Sequence, residues 1–182
     1  METKIDLRNA SFTSIAVYSK MEQTGTFECS NEAVNQLVQN SIWSQRSNFC
    51  DVPTDCPIRE RAAWTGDMGV FAETGIFLED CYLVIRKWLA ECRLAQYPDG
   101  KVANIAPANN RPSYFSSLLA GSVGWGDACI LVPYALYQRF GAKRILEENY
   151  EMMQDWHHFL ESRAKSLSAI HHQFRRGLRR MV

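Results

Sequence analysis

The chain has 182 residues, of which 46% are hydrophobic and 22% are charged. That length is enough for one ordinary domain with a single core, and the composition excludes a disordered chain. The longest uncharged run, residues 112–126, is too short and too polar to span a bilayer. The first residues lack the apolar segment of a secretory signal. We therefore expect a cytoplasmic protein that makes no contact with a membrane.

The net charge is zero, but the charges are unevenly distributed. Six of the twenty basic residues and none of the twenty acidic ones lie from Arg163 onward. A basic terminus can bind phosphates, yet no aromatic platform or recognised nucleic-acid motif accompanies it. We predict no nucleic-acid partner and interpret residues 166–182 as a solvated basic tail.

The six cysteines are scattered, without a C-x-x-C pair or a nearby histidine. This spacing argues against a zinc site and against a dense disulfide framework. We predict reduced, mostly buried thiols, with no metal and no cofactor.

The N-terminal segment contains one candidate strand, residues 11–19, which is rich in β-branched and aromatic residues. A single strand needs a partner for its amide groups. We expect it to pair with residues 26–29 or to be the remainder of a sheet that this chain does not contain. Residues 1–29 are therefore assigned to a preceding β-sandwich or linker.

Helical periodicity dominates the rest of the chain and predicts about five helices. Their expected bounds are Asn31 to Ser47, Asp67 to Leu78, Asp80 to just before Tyr97, Asp127 to Phe140, and Lys143 to Arg163. Between the third and fourth helices lies a stretch rich in proline and glycine, residues 98–126, with a candidate short helix at 114–120. A loop of that length inside a compact domain is usually functional.

Residues 51–67, DVPTDCPIRERAAWTGD, carry four carboxylates and two arginines within seventeen residues, and we call this stretch the charged loop. Pro53 and Pro57 remove amide donors and favour extended conformations, so we predict a loop between helices. Loops on a rigid scaffold often hold binding and catalytic residues. The alternative is that Asp55 and Asp67 cap helices while the arginines pair with them at the surface.

Several carboxylates in one loop favour proton-transfer chemistry. In glycoside hydrolysis, one carboxyl group protonates the departing oxygen and a second activates water or attacks the sugar. Trp64 could desolvate Glu60, stack on a sugar ring, or be a core tryptophan. Metal binding is the rival chemistry, but the carboxylates of this loop do not have the spacing of a calcium loop.

These residues closely resemble the signature of bacterial α-L-rhamnosidases of glycoside hydrolase family 78. The resemblance extends over roughly residues 27–164 and includes PDGKVANIAP at 98–107 and GWGDA at 124–128. The catalytic domain of that family is an (α/α)6 barrel, and it hydrolyses terminal α-L-rhamnosides with inversion. The resemblance therefore implies an all-α fold in which residues 30–165 form the N-terminal part of such a barrel.

The resemblance also implies roles for individual residues. Glu60 would be the general acid. Five further residues would bind the rhamnose, the polar ones through its hydroxyl groups and the tryptophans as walls of the pocket: Asp55, Arg59, Trp64, Asp67 and Trp125.

A complete barrel of six helical hairpins needs on the order of 350 residues. The general base of the family lies far downstream of the matching blocks, so we expect it to be missing from this chain. The expected function is that of a rhamnosidase fragment that binds rhamnosides and turns them over little. Two alternatives stay open: a non-catalytic carbohydrate-binding or interaction remnant that self-associates through exposed apolar helix faces, and a related glycosidase acting on another sugar.

Overall fold

The computed structural model of the chain describes residues 10–108 and 118–178, with the backbone alone from 166 to 178. This part of the chain is mainly helical, as the sequence predicts. Its main helices are α1 (Glu32–Asn48), α2 (Thr65–Leu78), α3 (Tyr82–Ala95), α4 (Ala128–Phe140) and α5 (Arg144–Leu178). Most of the candidate short helix at 114–120 lies outside the described residues.

The described strands are short and form two antiparallel pairs. They are β1 (Glu22–Gln23) with β4 (Glu79–Asp80), and β2 (Phe49–Cys50) with β3 (Val52–Pro53). The predicted strand at residues 11–19 is therefore wrong in position, because the strand that precedes α1 is β1. Residues 11–19 do not pair with another strand of the described part of the chain. The Ser19 N–H donates one backbone hydrogen bond to the Phe49 carbonyl, at 2.8 Å.

The helices pack around two tryptophans that are fully excluded from solvent, Trp88 of α3 and Trp156 of α5. Helix α4 contacts both α2 and α5, and α5 also contacts α3. Buried indole N–H groups usually need an acceptor. Trp88 donates to the Ala106 carbonyl at 2.9 Å, and Trp156 donates to the Asp127 carboxylate at 3.1 Å. The core therefore fixes the Ala106 segment of the long loop and Asp127, the residue just after that loop.

Helix α2 begins earlier than predicted, and Asp67 does not cap it. Trp64 occupies the N-cap position, while Asp67 lies in the first turn. The start is decided by a tertiary contact, since the Thr65 N–H donates to the Asn104 carbonyl at 2.9 Å. A carboxylate in the first turn still interacts favourably with the positive end of the helix dipole.

The other helix ends follow local sequence signals more closely. The Asn31 side chain caps α1 by accepting from two backbone amides. Gly141 ends α4 with a φ of 65°, a left-handed conformation that glycine adopts without strain. Asp80 accepts from the Tyr82 N–H at 3.2 Å, although Cys81 rather than Asp80 occupies the N-cap of α3.

Helix α5 is longer than the sequence pattern predicts. It continues past Arg163, its expected end, to Leu178 and so crosses the predicted boundary at residue 165. The stretch from 164 to 178 contains no proline and a glycine only at 177, so no residue in it forces the helix to stop earlier.

An ion pair joins α3 to α5. Arg86 donates to both carboxylate oxygens of Glu148, at 2.8 and 2.6 Å, and Arg144 donates to the same carboxylate at 2.7 Å. The hydrogen bond from Arg86 and the further contacts with Arg144 outweigh desolvation, so the pKa of Glu148 falls to about 2. The carboxylate therefore stays ionised at neutral pH.

A second ion pair is buried where α1 meets β4. The side chain of Glu79 is fully excluded from solvent, and its Oε1 accepts from Arg46 Nε at 2.8 Å and Nη2 at 2.6 Å. The guanidinium also lies over the rings of Tyr18 and Trp43, at 5.5 and 5.2 Å from their centroids. The other oxygen of Glu79 is buried without a partner among the described residues.

All six cysteines are free thiols, as predicted, but only half of them are buried, so the expectation that most are buried is not met. Burial raises the pKa of Cys81 and of Cys129 to about 12. Cys29 and Cys56 are half-buried, whereas Cys50 is exposed. Within the part of the chain that the structure describes, no helix is both long and apolar enough to cross a membrane.

Candidate active site

The charged loop begins with a tight hairpin in which β2 and β3 pair around Asp51. Asp51 has a φ of 72°, which Asp and Asn tolerate better than most residues. Its N–H donates to the Ser19 hydroxyl at 2.9 Å, and its carboxylate accepts from Lys87 of α3 at 2.8 Å. The hairpin is thus fastened to both the N-terminal segment and α3.

Asp55 joins the two sides of the charged loop through two hydrogen bonds with Ala62. Its N–H donates to the Ala62 carbonyl at 3.0 Å, and its Oδ1 accepts from the Ala62 N–H at 3.0 Å. Desolvation alone would raise the pKa of the Asp55 carboxyl. Hydrogen bonds from the Cys56 thiol and from backbone amides outweigh it, so this pKa lies below its ordinary value. The carboxylate is therefore ready to accept hydrogen bonds from a ligand.

Glu60 lies on the exposed side of the same loop, with both carboxylate oxygens in contact with a donor. Arg59 Nη2 lies 3.2 Å from Oε1, and Trp64 Nε1 lies 3.1 Å from Oε2. The Glu60 N–H donates to Cys56 Sγ at 3.0 Å. Arg59, Glu60 and Trp64 therefore form one connected cluster.

Trp64 is held by the long loop that follows α3. It forms an antiparallel bridge with Ile105, and its neighbour Ala63 accepts from the Ala106 N–H at 3.1 Å. The indole is half-buried. The backbone of Trp64 is thus fixed by a segment about 40 residues away, which spacing in the sequence does not reveal.

Trp125 is placed against the first turn of α2 by a glycine. A Cβ added at Gly66 would lie 2.8 Å from Trp125 Cδ1, so only glycine admits the ring there. Asp127 holds the short segment that carries Trp125, since its Oδ2 accepts from the Gly124 N–H at 3.1 Å.

A cavity of about 580 Å³ opens between the end of α1, the charged loop and the start of α2. Three of the predicted site residues line it: Asp55, Asp67 and Trp125. The other three, Arg59, Glu60 and Trp64, form the adjacent cluster described above and are not part of the cavity wall. The six residues therefore form two groups, and all of them except Trp125 belong to the charged loop or to the first turn of α2.

Sequence reasoning missed several residues of the cavity. The buried Gln45 of α1 lines it, and its Nε2 donates to the Gly75 carbonyl of α2 at 3.2 Å. Thr54 also lines it, and its hydroxyl donates to the Asn48 carbonyl at 3.0 Å. In the sequence, Gln45 is in register with the apolar positions of α1, where a core-facing helix usually carries an apolar side chain. A polar residue at such a position was the signal that could have identified it.

A metal centre has no obvious place here. No group of three or more His, Cys, Asp or Glu side chains with ligand-like geometry occurs in the part of the chain whose side chains the structure describes. The polar groups of the cavity are suited instead to hydrogen bonding with an uncharged polar ligand.

The sequence profile of the bacterial alpha-L-rhamnosidase 6 hairpin glycosidase domain matches residues 22–177. The chain belongs to this family. Its predicted fold class is confirmed, because rhamnosidase structures superpose on it. The α-L-rhamnosidase of Streptomyces avermitilis, solved in complex with L-rhamnose, matches 80% of the chain with a TM-score of 0.74 and 38% identity. The enzyme from Dictyoglumus thermophilum matches 81% with a TM-score of 0.73 and 37% identity.

Relatives of known sequence agree with the structural comparison. An α-L-rhamnosidase of Formosa agariphila is 42% identical over 147 residues, which cover 79% of this chain. The Streptomyces avermitilis enzyme is 37% identical over 158 residues, or 86% of this chain. In both cases the chain spans about 15% of the length of the relative.

Proposed function

We propose that this chain forms the acid-bearing and sugar-binding part of the active site of an inverting α-L-rhamnosidase. The substrate would be a terminal α-L-rhamnoside. In this proposal the carboxylate that activates water belongs to a part of the family's barrel that the chain does not include. Hydrolysis is therefore a property of the complete barrel, while the chain supplies sugar binding and the acid.

The cavity is the observation that carries this proposal. It places two carboxylates, Asp55 and Asp67, beside the indole of Trp125. Carboxylates accept hydrogen bonds from sugar hydroxyls, and an aromatic face packs against the less polar face of a sugar ring. A concave site with an apolar wall and a few convergent polar groups is typical of small-molecule binding.

Glu60 is the proposed general acid. It lies on the loop that also provides Asp55, five residues further along the chain. A general acid must reach the glycosidic oxygen and donate a proton as the bond breaks. The exposed position of Glu60 leaves it accessible to a leaving group that extends from the cavity into solvent.

Sugar binding is testable with the chain as it is. We expect L-rhamnose to bind saturably, and we expect Asp67→Asn to weaken binding about ten- to hundredfold, because a hydrogen bond to a charged group contributes about 1.5–3 kcal/mol. Isothermal titration calorimetry measures both affinities. The matched control is Asp155→Asn, an exposed aspartate of α5 outside the cavity, which should bind like the parent.

The same titration separates this proposal from a glycosidase acting on a different sugar. L-Fucose is also a 6-deoxy sugar but differs in the orientation of its hydroxyl groups, so it should bind more weakly than L-rhamnose. Equal binding of both sugars would contradict rhamnose selectivity. Absence of any saturable binding would contradict the sugar site itself.

A second candidate function is an interaction surface, and exposed apolar side chains favour it. Val70 and Phe77 of α2 are 87% and 71% exposed, and Leu131 and Tyr134 of α4 are each more than half exposed. Helices that are apolar on both sides are usually buried on both sides. These faces are suited to contact with further protein, either the remainder of a barrel or a second copy.

Self-association provides the test of this surface. We expect the chain to form dimers or larger species at micromolar concentration, because burial of apolar area is favourable. Light scattering coupled to size-exclusion chromatography measures the mass. The double variant Val70→Lys/Phe77→Lys should shift the chain to monomers. A parent chain that is monomeric at every concentration would contradict the surface as a self-association site.

A further inference from the structure

The two carboxylate oxygens of Glu60 face donors of different kinds. Oε2 accepts from the indole N–H of Trp64 at 3.1 Å, and Oε1 accepts from the Arg59 guanidinium at 3.2 Å. Neither an indole nor a guanidinium can accept a hydrogen bond. Each contact stabilises the ionised form, so an oxygen that accepts from a donor is less basic and takes up a proton less readily than one that the donor has left.

The two donors differ in their freedom to move. Trp64 is half-buried, occupies the N-cap of α2 and forms a bridge with Ile105. The side chain of Arg59 is 84% exposed, and its contact with Glu60 is a surface ion pair between adjacent residues. Such exposed pairs are weak and are readily exchanged. Arg59 can leave Oε1 at little cost, whereas the half-buried indole of Trp64, on a fixed backbone, is less free to leave Oε2.

We propose that Trp64 is a positioning residue that keeps Oε2 of Glu60 as an acceptor, so that the acid carries its proton on Oε1. We further infer that a bound sugar draws Arg59 away from Oε1, which lets Oε1 take up this proton. We call this the loading step. This inference rests on the proposed function, in which Arg59 binds a rhamnose hydroxyl. Trp64 then acts through Glu60, in addition to any packing against the sugar.

The proton balance of the reaction is simple. With Arg59 on the sugar, Oε1 takes a proton from solvent. During hydrolysis the O–H bond at Oε1 breaks and the proton goes to the glycosidic oxygen, which also keeps the electron pair of the broken C–O bond. Water supplies the new hydroxyl group of the sugar, and its other proton goes to the general base, the carboxylate that the proposed function assigns to the remainder of the barrel. Glu60 returns to the carboxylate, and Arg59 can pair with it again once the sugar has left.

Other charged or titratable groups lie close to Glu60 and could change its ionisation. Cys56 contacts it through the backbone, since the Glu60 N–H donates to Sγ at 3.0 Å. Asp55 lies on the same loop, but its Oδ1 accepts from the Ala62 N–H. Arg61 is the next residue, and Asp67 lies in the first turn of α2. The experiment therefore follows the Trp64 indole, which contacts the Glu60 carboxylate directly.

The test uses the 182-residue chain labelled with ¹⁵N at its indole groups. Loss of a peak in Trp64→Phe assigns the Trp64 resonance, and a variant at Trp125 assigns a second one as a reporter of sugar binding. We expect the Trp64 peak to move along a line as the pH is lowered and the carboxylate takes up its proton. That movement should be lost in Glu60→Gln, whose side chain does not titrate.

Saturating L-rhamnose at constant pH should move the Trp64 peak in the direction of acidification. In Arg59→Gln, this displacement should fall at least twofold at sugar concentrations that saturate the Trp125 peak. If the position of the Trp64 peak does not change with pH, the positioning role of Trp64 is overturned. If the Trp125 peak responds to rhamnose while the Trp64 peak does not move along its pH line, the loading step alone is overturned. A Trp125 peak that never responds would overturn the proposed sugar site and the loading step with it.

Discussion

A Glu60→Gln substitution is expected to lower kcat/KM about 10²- to 10⁴-fold for rhamnosides with poor leaving groups, because a positioned general acid contributes about that much. The measurement needs a complete barrel. A suitable protein is the Streptomyces avermitilis relative with its 158 matching residues replaced by those of this chain, which are 37% identical. Initial rates with an alkyl and a dinitrophenyl α-L-rhamnoside would be compared.

The leaving group distinguishes a general acid from a structural residue. Dinitrophenolate departs without help from a proton, so the loss with that substrate should be much smaller. Glu32→Gln is the matched control. It lies in the first turn of α1, a helix of 17 residues whose other end leads into the loop, so it should leave both rates unchanged. Equal losses with both substrates would contradict the acid role of Glu60.

Arg46→Met is expected to lower the free energy of unfolding by about 3–5 kcal/mol, because it leaves the buried carboxylate of Glu79 without its partner. Glu79 is fully buried, and its other oxygen has no partner among the described residues. Urea unfolding followed by tryptophan fluorescence measures the change. Arg139→Met, at an exposed arginine of α4, should change stability by less than about 0.5 kcal/mol.

A double variant identifies the cause of that loss. Arg46→Met/Glu79→Gln removes the charge that the single variant leaves unpaired, so it should recover part of the lost stability. Recovery should be incomplete, since the contacts of the guanidinium with Tyr18 and Trp43 are also gone. A double variant no more stable than Arg46→Met would show that packing, rather than the unpaired charge, is responsible.

Local signals in the sequence were sufficient for most of the helices. Asn31 and Gly141 mark the ends of α1 and α4 because a cap and a left-handed turn depend on one residue and its immediate neighbours. The same is true of the loop that precedes α2, residues 51–64, where two prolines exclude a regular helix. The resemblance carried by these residues also predicted the family, which the comparisons confirm.

Two errors show where local patterns fail. Residues 11–19 have the composition of a strand, yet the strand before α1 is Glu22–Gln23. A strand exists only where a partner offers its amide and carbonyl groups, and here that partner is Glu79–Asp80, more than 50 residues away. Likewise, Asp67 resembles an N-cap, but pairing with the segment at 104–106 starts α2 at Thr65.

The sequence by itself determined the helical class and the position of the charged loop, and it predicted which residues of that loop are chemically active. The tertiary structure decided how these residues are grouped. Trp125 meets the first turn of α2 because Gly66 has no side chain to exclude it, and a bridge to Ile105 fixes the backbone of Trp64, whose indole donates to Glu60. Such contacts join residues about 40 to 60 positions apart, and no local periodicity encodes them. Only the packed fold could show which oxygen of Glu60 accepts from Trp64 and which accepts from the exposed Arg59.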